Sequence, residues 1–236
     1  SIPFGYFDLQ LESWPGAISQ DVRLAPRITQ QQLPAQVTFP EHASALLTFE
    51  EAAGGQAAGQ ALRTLALRLL TLMPPGKLRF TLIDPIGLGE SFAGLMHLTD
   101  IDELLVSHRI WTEPGQIEQK LADLTEHMEN VLQKYLRNEF STIEEYASAG
   151  GGVAEPYHFL IIRDFPAKFS EIAARRLISI IHSGPRCGVY TLLSNDLTKP
   201  LPHQFSWRDV ESQLARFTWR AGALRAVQEP WAHWPS

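Results

Sequence analysis

Short, continuous apolar runs that alternate with helical segments are the feature that most constrains the fold. Tyr157–Ile162 (YHFLII) and Gly188–Leu193 (GVYTLL) are apolar at almost every position, and a helix is predicted between them near Ser170–His182. Ser44–Phe49 and Leu78–Ile83 are further apolar runs of strand length. Strands that are buried on both faces have this pattern, and they belong to parallel sheets covered by helices. The sequence therefore predicts an α/β class and one three-layer domain.

Two further patterns predict the elements around this sheet. Apolar side chains recur at helical spacing over Gln116–Phe140, opposite a charged face, so we expect a long amphipathic helix there. Ser141 followed by Glu144 is the pattern of a capping box and predicts a shorter helix toward Ala149. Near the C-terminus, Ala215–Trp219 and Ala223–Val227 predict a closing β-hairpin.

The N-terminal forty residues are rich in proline, which excludes long helices there. We expect short extended pieces and turns that wrap a core. Residues 1–43 are thus predicted to be a strand-rich leading segment of the same domain, whose main part covers residues 44–236. The prolines of this segment are Pro3, Pro15, Pro26, Pro34 and Pro40.

Charge and cysteine content exclude several classes of protein. The formal net charge is −6, so the chain as a whole does not attract DNA or anionic lipid. The single cysteine, Cys187, excludes an internal disulfide and a zinc site with paired thiolates, and it fits a reducing compartment. The apolar runs are too short to cross a bilayer, so we expect a cytoplasmic protein without membrane insertion. The chain begins at Ser1 without an initiator Met, and we expect it to be part of a longer protein.

A strand, a Gly/Ala-rich stretch and a helix follow one another in the order that phosphate-binding loops require. We predict a turn over Ala52–Gly59 and a helix from about Ala57 to Leu72. Gly54 and Gly59 have the spacing of GxxxxG, but Gln and Ala follow where the motif has Lys and Ser/Thr. The candidate phosphate-binding residues are Gly54, Gly55, Gln56, Ala57, Ala58, Gly59, Gln60 and Ala61.

The two replaced positions carry most of the chemistry of such a loop. A charge-assisted hydrogen bond contributes roughly 1.5–3 kcal/mol, so loss of the lysine alone weakens phosphate binding by about one to two orders of magnitude. Loss of the hydroxyl removes a Mg²⁺ ligand. We therefore assign no metal ligand and no firm cofactor, and expect at best weak binding of ATP and Mg²⁺.

Two strand ends supply the remaining candidates. The run Phe159–Asp164 ends in Arg163-Asp164, where an ATPase would have a pair of acids, so Asp164 alone keeps the position of a metal-coordinating acid. Asn195 follows the strand Gly188–Leu193, where a polar side chain could sense a γ-phosphate. We expect Arg163 to pair with Asp164 or Asp84 in place of a metal ion; the alternative is that it points to solvent.

These segments together resemble the RecA-like ATPase module of the FtsK/SpoIIIE superfamily, including the tandem modules of type VII secretion ATPases such as EssC and EccC. The resemblance extends from about Ile2 to Asn195. It is carried by Ile2–Gly5, the Gly54–Ala61 stretch, Leu82–Pro85, Lys134–Arg137, Ile143–Tyr146 and Ser183–Asn195.

The resemblance implies a three-layer RecA-like P-loop NTPase fold with a mostly parallel central sheet and a C-terminal hairpin. In that family a loop lysine and Thr/Ser bind phosphate and Mg²⁺, and an Asp-Glu pair drives hydrolysis. Gly54, Gly59, Asp164 and Asn195 match the pattern, whereas the positions that depart from it are Gln60, Ala61 and Arg163. The implied function is that of a degenerate, non-hydrolysing module in a larger motor, acting in assembly, regulation or partner binding.

Two rival hypotheses remain open. The first is an ATPase in which Lys77, or an arginine of a neighbouring subunit, replaces the loop lysine. The second is a DNA-contacting translocase module, which the negative charge does not favour. The expected partners are other ATPase modules and protein cargo. The candidate contact surfaces are the Gln116–Phe140 helix, Arg175-Arg176 and the tail with Trp231 and Trp234, and the chain alone is expected to be monomeric or weakly self-associating.

Overall fold

The architecture comes from a computed structural model that describes residues 1–13, 16, 18–19, 21–107, 109–137, 139–150 and 155–227. The strands are β1 (Ile2–Gln10), β2 (Gln30–Val37), β3 (Ala45–Phe49), β4 (Leu78–Ile83), β5 (Tyr157–Phe165), β6 (Val189–Asp196), β7 (Ala215–Arg220) and β8 (Ala223–Ala226). The α-helices are α1 (Ala52–Leu72), α2 (Pro114–Val131), α3 (Ile143–Ser148) and α4 (Glu171–Ser183).

The central sheet is mostly parallel, as predicted. Within the described residues it has six strands in the order β4-β5-β6-β3-β7-β8, and only β8 runs antiparallel to its neighbour. The register pairs Ile162 with Ile83 on one side and with Leu193 on the other, and Thr48 pairs with Asn195. The carboxyl ends of β3, β4, β5 and β6 therefore meet at one edge of the sheet, which we call the carboxyl edge.

Helices cover both faces of this sheet and give the three predicted layers. On one face, α1 buries Leu62, Leu65 and Leu69 completely, in a core that also contains Phe80 and Phe159. On the other face, α2 and α4 enclose a second core. Its fully buried members include Ile117, Leu121, Leu160, Ile162, Leu177 and Ile180. Alternate residues of the strands point to opposite faces, and both faces are covered, which explains why the strand sequences are mostly apolar.

The N-terminal segment is more regular than predicted. Strands β1 and β2 form a long antiparallel pair that includes Pro3 and Pro34, where we expected only short extended pieces. Within the described part of the chain, each of these strands pairs only with the other, and such edge positions tolerate a residue without an N–H. The ring of Phe4 lies edge-on to that of Phe217, with centroids 5.0 Å apart, so this pair packs on the same face as α1.

Three boundaries differ from the prediction. The long helix is α-helical only to Val131, and a π-helical turn over Leu132–Leu136 ends at Arg137 in the left-handed region (φ 43°). The predicted capping box is displaced by one residue: the Thr142 hydroxyl accepts from the Glu145 N–H at 3.2 Å, and the Glu145 carboxylate accepts from the Ser141 N–H at 2.7 Å. Strands β5 and β6 extend further than predicted and include Arg163-Asp164 and Asn195.

The start of α1 contradicts the predicted Gly/Ala-rich turn. The whole of Ala52–Gly59 is helical, and the helix begins at Ala52 rather than near Ala57. An ideal Cβ on Gly54 would lie 2.7 Å from Phe49 Cβ and 2.7 Å from Trp219 Cδ1, and one on Gly55 would lie 3.0 Å from the Phe49 ring. These glycines therefore let the helix approach the sheet and the Trp219 indole closely. They are required because they lack a side chain, and not because they adopt a turn conformation.

No helix among the described residues is both long and apolar enough to span a bilayer. Arg175 of the candidate contact surface Arg175-Arg176 is exposed on α4. The predicted contacts of Trp231 and Trp234 lie outside the described residues.

We expect Gly54→Ala to lower the free energy of unfolding by about 1–3 kcal/mol, because the added methyl group must displace Phe49 or Trp219. This loss should appear although alanine is favoured over glycine in helices by about 1 kcal/mol. The matched control is Gly115→Ala in α2, where a Cβ would meet nothing within 4 Å and no loss is expected. Urea denaturation of the three proteins measures both effects; equal stability of Gly54→Ala and the parent chain would contradict the packing role.

Candidate functional site at the carboxyl edge

The first turn of α1 lies where a phosphate-binding loop would be expected. Only Glu50 and Glu51 separate β3 from the helix, and both side chains are exposed. Glu51 is the N-cap residue, and its side chain makes no capping hydrogen bond. A helix N-terminus attracts anions through its free N–H groups and its dipole. Here two carboxylates already supply negative charge at that end, and no loop stands in front of the helix to enclose a phosphate.

The candidate phosphate-binding residues Gly54–Ala61 lie along the helix instead of around a cavity. Gln60, at the position of the motif lysine, is exposed and lies eight residues beyond Ala52, about 12 Å along the helix axis. Ala61 is buried in the core below the helix. Neither residue is placed near the helix N-terminus, where an anion would bind.

Arg163 occupies the space above the third turn of α1. A Cβ on Gly59 would lie 3.3 Å from the guanidinium carbon, so the side chain passes directly over this glycine. Arg163 Nε lies 3.3 Å from Asp164 Oδ2, and Nη1 donates to the Ser91 hydroxyl. The buried Nε–H has no hydrogen-bond partner among the described residues, so the contact with Asp164 is an ion pair rather than a hydrogen bond. The predicted pairing of Arg163 with Asp164 is confirmed.

Asp164 is buried at the end of β5 in an uncommon backbone conformation. Its φ is 57°, in the left-handed region that few non-glycine residues adopt. The backbone N–H donates to the Ser194 hydroxyl at 2.9 Å, and the carbonyl accepts from the Ala167 N–H at 2.9 Å. Burial raises the pKa of the carboxyl above its usual value, Arg163 opposes that shift, and Asp84 and Asp196 add to it.

Asp84 organises the loop that follows β4, a role that the sequence analysis did not assign. The side chain is fully buried, and it accepts hydrogen bonds from the backbone N–H groups of Gly87 (3.0 Å) and Ser91 (3.1 Å). A Cβ on Gly87 would lie 2.6 Å from the carboxylate, so the turn requires a glycine. The turn holds Ser91 where its hydroxyl meets Arg163. The sequence does contain a signal for this turn: the strand is followed by Asp84-Pro85, and a glycine stands three residues after the Asp.

Asn195 lies at the middle of the carboxyl edge. It pairs in register with Thr48 of β3 and Phe165 of β5, which places it beside the end of the strand that carries Asp164. The side chain is 1% exposed, and its Oδ1 atom accepts no hydrogen bond within the described part of the chain. The structure thus brings Asp164 and Asn195 to the same edge of the sheet.

The remaining candidates do not converge on this edge. Lys77 precedes β4, whose six residues place it roughly 20 Å away, at the opposite end of the strand. Across the residues that the structure describes, no three His, Cys, Asp or Glu side chains are grouped so as to hold a metal ion. The Asp164 carboxylate is engaged by Arg163, and this cation would have to move before Asp164 could contact Mg²⁺ or orient water.

Comparison with known proteins identifies solved structures with the same fold. No protein-family model and no curated protein matches the chain. The cytoplasmic domain of the Thermomonospora curvata type VII secretion ATPase EccC matches with a TM-score of 0.52 and 22% identity, over 80% of this chain and 22% of that one. ATPases 2 and 3 of EssC from Geobacillus thermodenitrificans match with a TM-score of 0.60 and 16% identity, over 92% and 36%.

A third structure contains ATPases 2 and 3 of T. curvata EccC in complex with a signal sequence peptide. It matches with a TM-score of 0.54 and 16% identity, over 89% of this chain and 36% of that one. The chain therefore spans about a fifth to a third of the length of these proteins. At such identities the likeness concerns the fold: this chain has the fold of the RecA-like ATPase modules of EssC and EccC.

Proposed function

We propose that this chain is a non-hydrolysing module of the FtsK/SpoIIIE type within a larger multi-domain motor, where it acts in assembly, regulation or partner binding. The observation that carries the proposal is the start of α1, directly after Glu50-Glu51 and packed on Phe49 and Trp219. No loop is left to curl around a phosphate, and the helix end carries carboxylates of the same charge sign as the ligand.

The contacts of Arg163, at the end of β5, also support a module that does not hydrolyse ATP. Its guanidinium pairs with Asp164 and contacts the Ser91 hydroxyl, so a permanent cation neutralises the Asp164 carboxylate in place of a metal ion. A fixed arginine lacks the exchangeable ligand positions that Mg²⁺ offers to phosphate oxygens. The arrangement stabilises the edge without nucleotide.

The motor context rests on the likeness of fold and is part of the proposal. EccC and EssC carry several ATPase modules in one chain, and one EccC structure holds a signal sequence peptide. By analogy we propose sister ATPase modules and protein cargo as partners, with residues 1–43 as a leading segment of the same module and residues 44–236 as its main part.

The nucleotide prediction is that the purified chain shows no ATP hydrolysis and only weak Mg-ATP binding. Isothermal titration calorimetry and phosphate release measure the two parts. Gln60→Lys is the informative variant, because it restores the lysine of the motif at an exposed helical position. We expect it to leave binding unchanged, since the missing element is the loop as well as the cation.

Micromolar or tighter Mg-ATP binding by the parent chain would contradict the proposal. Tight binding by Gln60→Lys alone would show that the loop forms on binding and that only the side chain had been lost. Turnover that persists in Asp164→Ala indicates a contaminating ATPase and is subtracted as background.

The Arg163 prediction concerns stability and pH. Arg163→Gln leaves Asp164 buried without its cation and should lower the free energy of unfolding by about 1–3 kcal/mol near neutral pH. The Asp164 pKa is already raised by burial, and loss of Arg163 raises it further. The folded variant then takes up a proton at higher pH than the unfolded chain, so the loss should shrink as the pH falls toward about 4.

Urea denaturation at the two pH values tests this sign. Arg176→Gln is the matched control. Arg176 is partly exposed, forms a long pair with the Glu118 carboxylate (3.9 Å) and donates to the Glu118 carbonyl at 3.1 Å, and its removal should cost about 1 kcal/mol. A loss for Arg163→Gln that stays constant with pH would exclude the pairing with Asp164 as its cause.

The assembly prediction is that the chain alone is monomeric or weakly self-associating and binds an adjacent module of its parent protein. Size-exclusion chromatography with light scattering, with and without that module, measures both. A stable closed ring formed by this chain alone is the outcome that would refute it.

A further inference from the structure

A groove lies on the α2/α4 side of the sheet, beyond the area that these helices cover. It measures about 500 Å³, and its floor is formed by Leu46 and Thr48 of β3 and Thr218 of β7. Trp207, which belongs to a 3₁₀ turn after β6, forms one wall, and its ring packs edge-on against Phe165 with centroids 5.5 Å apart. The groove is therefore built on rigid strands and supported by the second core.

Arginines line the open side of this groove. Arg216 and Arg220 lie at alternate positions of β7, and Arg225 of β8 pairs in register with Thr218, so the three side chains share one face of the hairpin. Arg216 is held by Glu211 at 2.6 Å. Arg220 and Arg225 are exposed, and no carboxylate of the described residues lies within ion-pair distance of either. Two cations thus remain available on a chain with a net charge of −6.

Strand β8 adds a second, independent feature to the same place. It is the last strand of the sheet, so one side of its backbone has no neighbouring strand within the described residues. The Val227 N–H donates to the Arg216 carbonyl at 2.9 Å, which makes Arg216–Val227 a hydrogen-bonded pair. By alternation, the N–H and C=O groups of Leu224 and Ala226 point away from β7. Such an edge can pair with an added strand.

We propose that this hairpin binds an extended, acidic segment of a partner protein, which adds to the sheet beside β8 and places carboxylates against Arg225 and Arg220. The backbone of β8 supplies the hydrogen bonds of a new strand, and the arginines supply the preference for acidic side chains at alternate positions. The proposal adds a binding surface to the proposed function and does not depend on whether the carboxyl edge binds nucleotide.

Two other occupants fit the observations less well. A nucleic acid could neutralise the arginines, but it offers no peptide backbone to pair with β8, and the net charge of the chain opposes its approach. A second copy could pair β8 with β8, but the short strands would bring two Arg225 side chains close together, and like charges on paired strands are destabilising. An acidic peptide satisfies both the edge and the arginines.

The test is fluorescence anisotropy with the purified chain and a short labelled peptide of alternating Glu and Thr. The same peptide with Lys for Glu, and a single-stranded oligonucleotide, are the comparison probes. We expect the Glu peptide to bind in preference to both, with an affinity that falls as salt rises.

Variants separate the two parts of the surface. Arg220→Glu combined with Arg225→Glu should lower the affinity at least about tenfold relative to Arg175→Glu with Arg208→Glu, which makes the same charge change outside the groove. Ala226→Pro removes one outward N–H, which the β7–β8 ladder does not use, and should weaken peptide binding several-fold at unchanged thermal stability. Circular dichroism confirms that each variant is folded.

Several results would overturn the proposal. These are absence of binding to the Glu peptide, equal binding of the Glu and Lys peptides, and equal affinities of the groove variant and its control. Preferred, Arg225-dependent binding of the oligonucleotide would assign the groove to nucleic acid instead. A dimer of the parent chain that dissociates on Ala226→Pro would assign the edge to a second copy. The ATP measurements above are independent of all these outcomes.

Discussion

The contact of α1 with Phe49 and Trp219 is the interaction on which the carboxyl edge of this protein depends. Because Gly54 and Gly55 have no side chains, the first turn of the helix settles directly on the end of β3 and on the indole from β7. The helix can then begin only two residues after the strand. The position of Gly59 follows, and with it the space over that turn which Arg163 fills. Packing of apolar groups therefore determines where the charged groups lie.

The strands could be predicted from the sequence because burial on both faces leaves little freedom in residue type. Tyr157–Ile162 and Leu78–Ile83 are apolar for that reason, and the structure has strands there. Glycine carries no such signal, since it serves equally where φ must be positive and where a Cβ would clash. The GxxxxG spacing predicted glycines that form a turn. In the structure Gly54 and Gly55 are helical, and they are needed because a Cβ would clash with Phe49 or Trp219. The deciding partner, Trp219, is distant in sequence, so no local pattern could reveal it.

The candidate site was predictable to a similar degree. The sequence assigned Asp164 and Asn195 to the ends of two strands and left both Asp164 and Asp84 open as partners of Arg163; the structure brings the two strand ends together and pairs Arg163 with Asp164. The contact of Ser91 with Arg163 could not be predicted from sequence, because it is the turn held by Asp84 that brings Ser91 back over the sheet. The N-terminal strands are longer than the short extended pieces expected from the sequence, because both strands of a two-stranded pair are edges, where proline is tolerated.

Only two residues connect the end of β3 at Phe49 to the start of α1 at Ala52, and this short connection has a consequence for protein engineering. A functional difference that lies in side chains can be reversed by substitution, one codon at a time. Here the difference lies in backbone conformation: a loop in front of the helix would require inserted residues between β3 and α1 or unwinding of the first turns of α1, and the helix would have to move away from the Trp219 indole that it now covers. Variation of residue identity at fixed length therefore works against this packing, whereas inserted residues combined with replacement of Trp219 would give the first turn of α1 room to move.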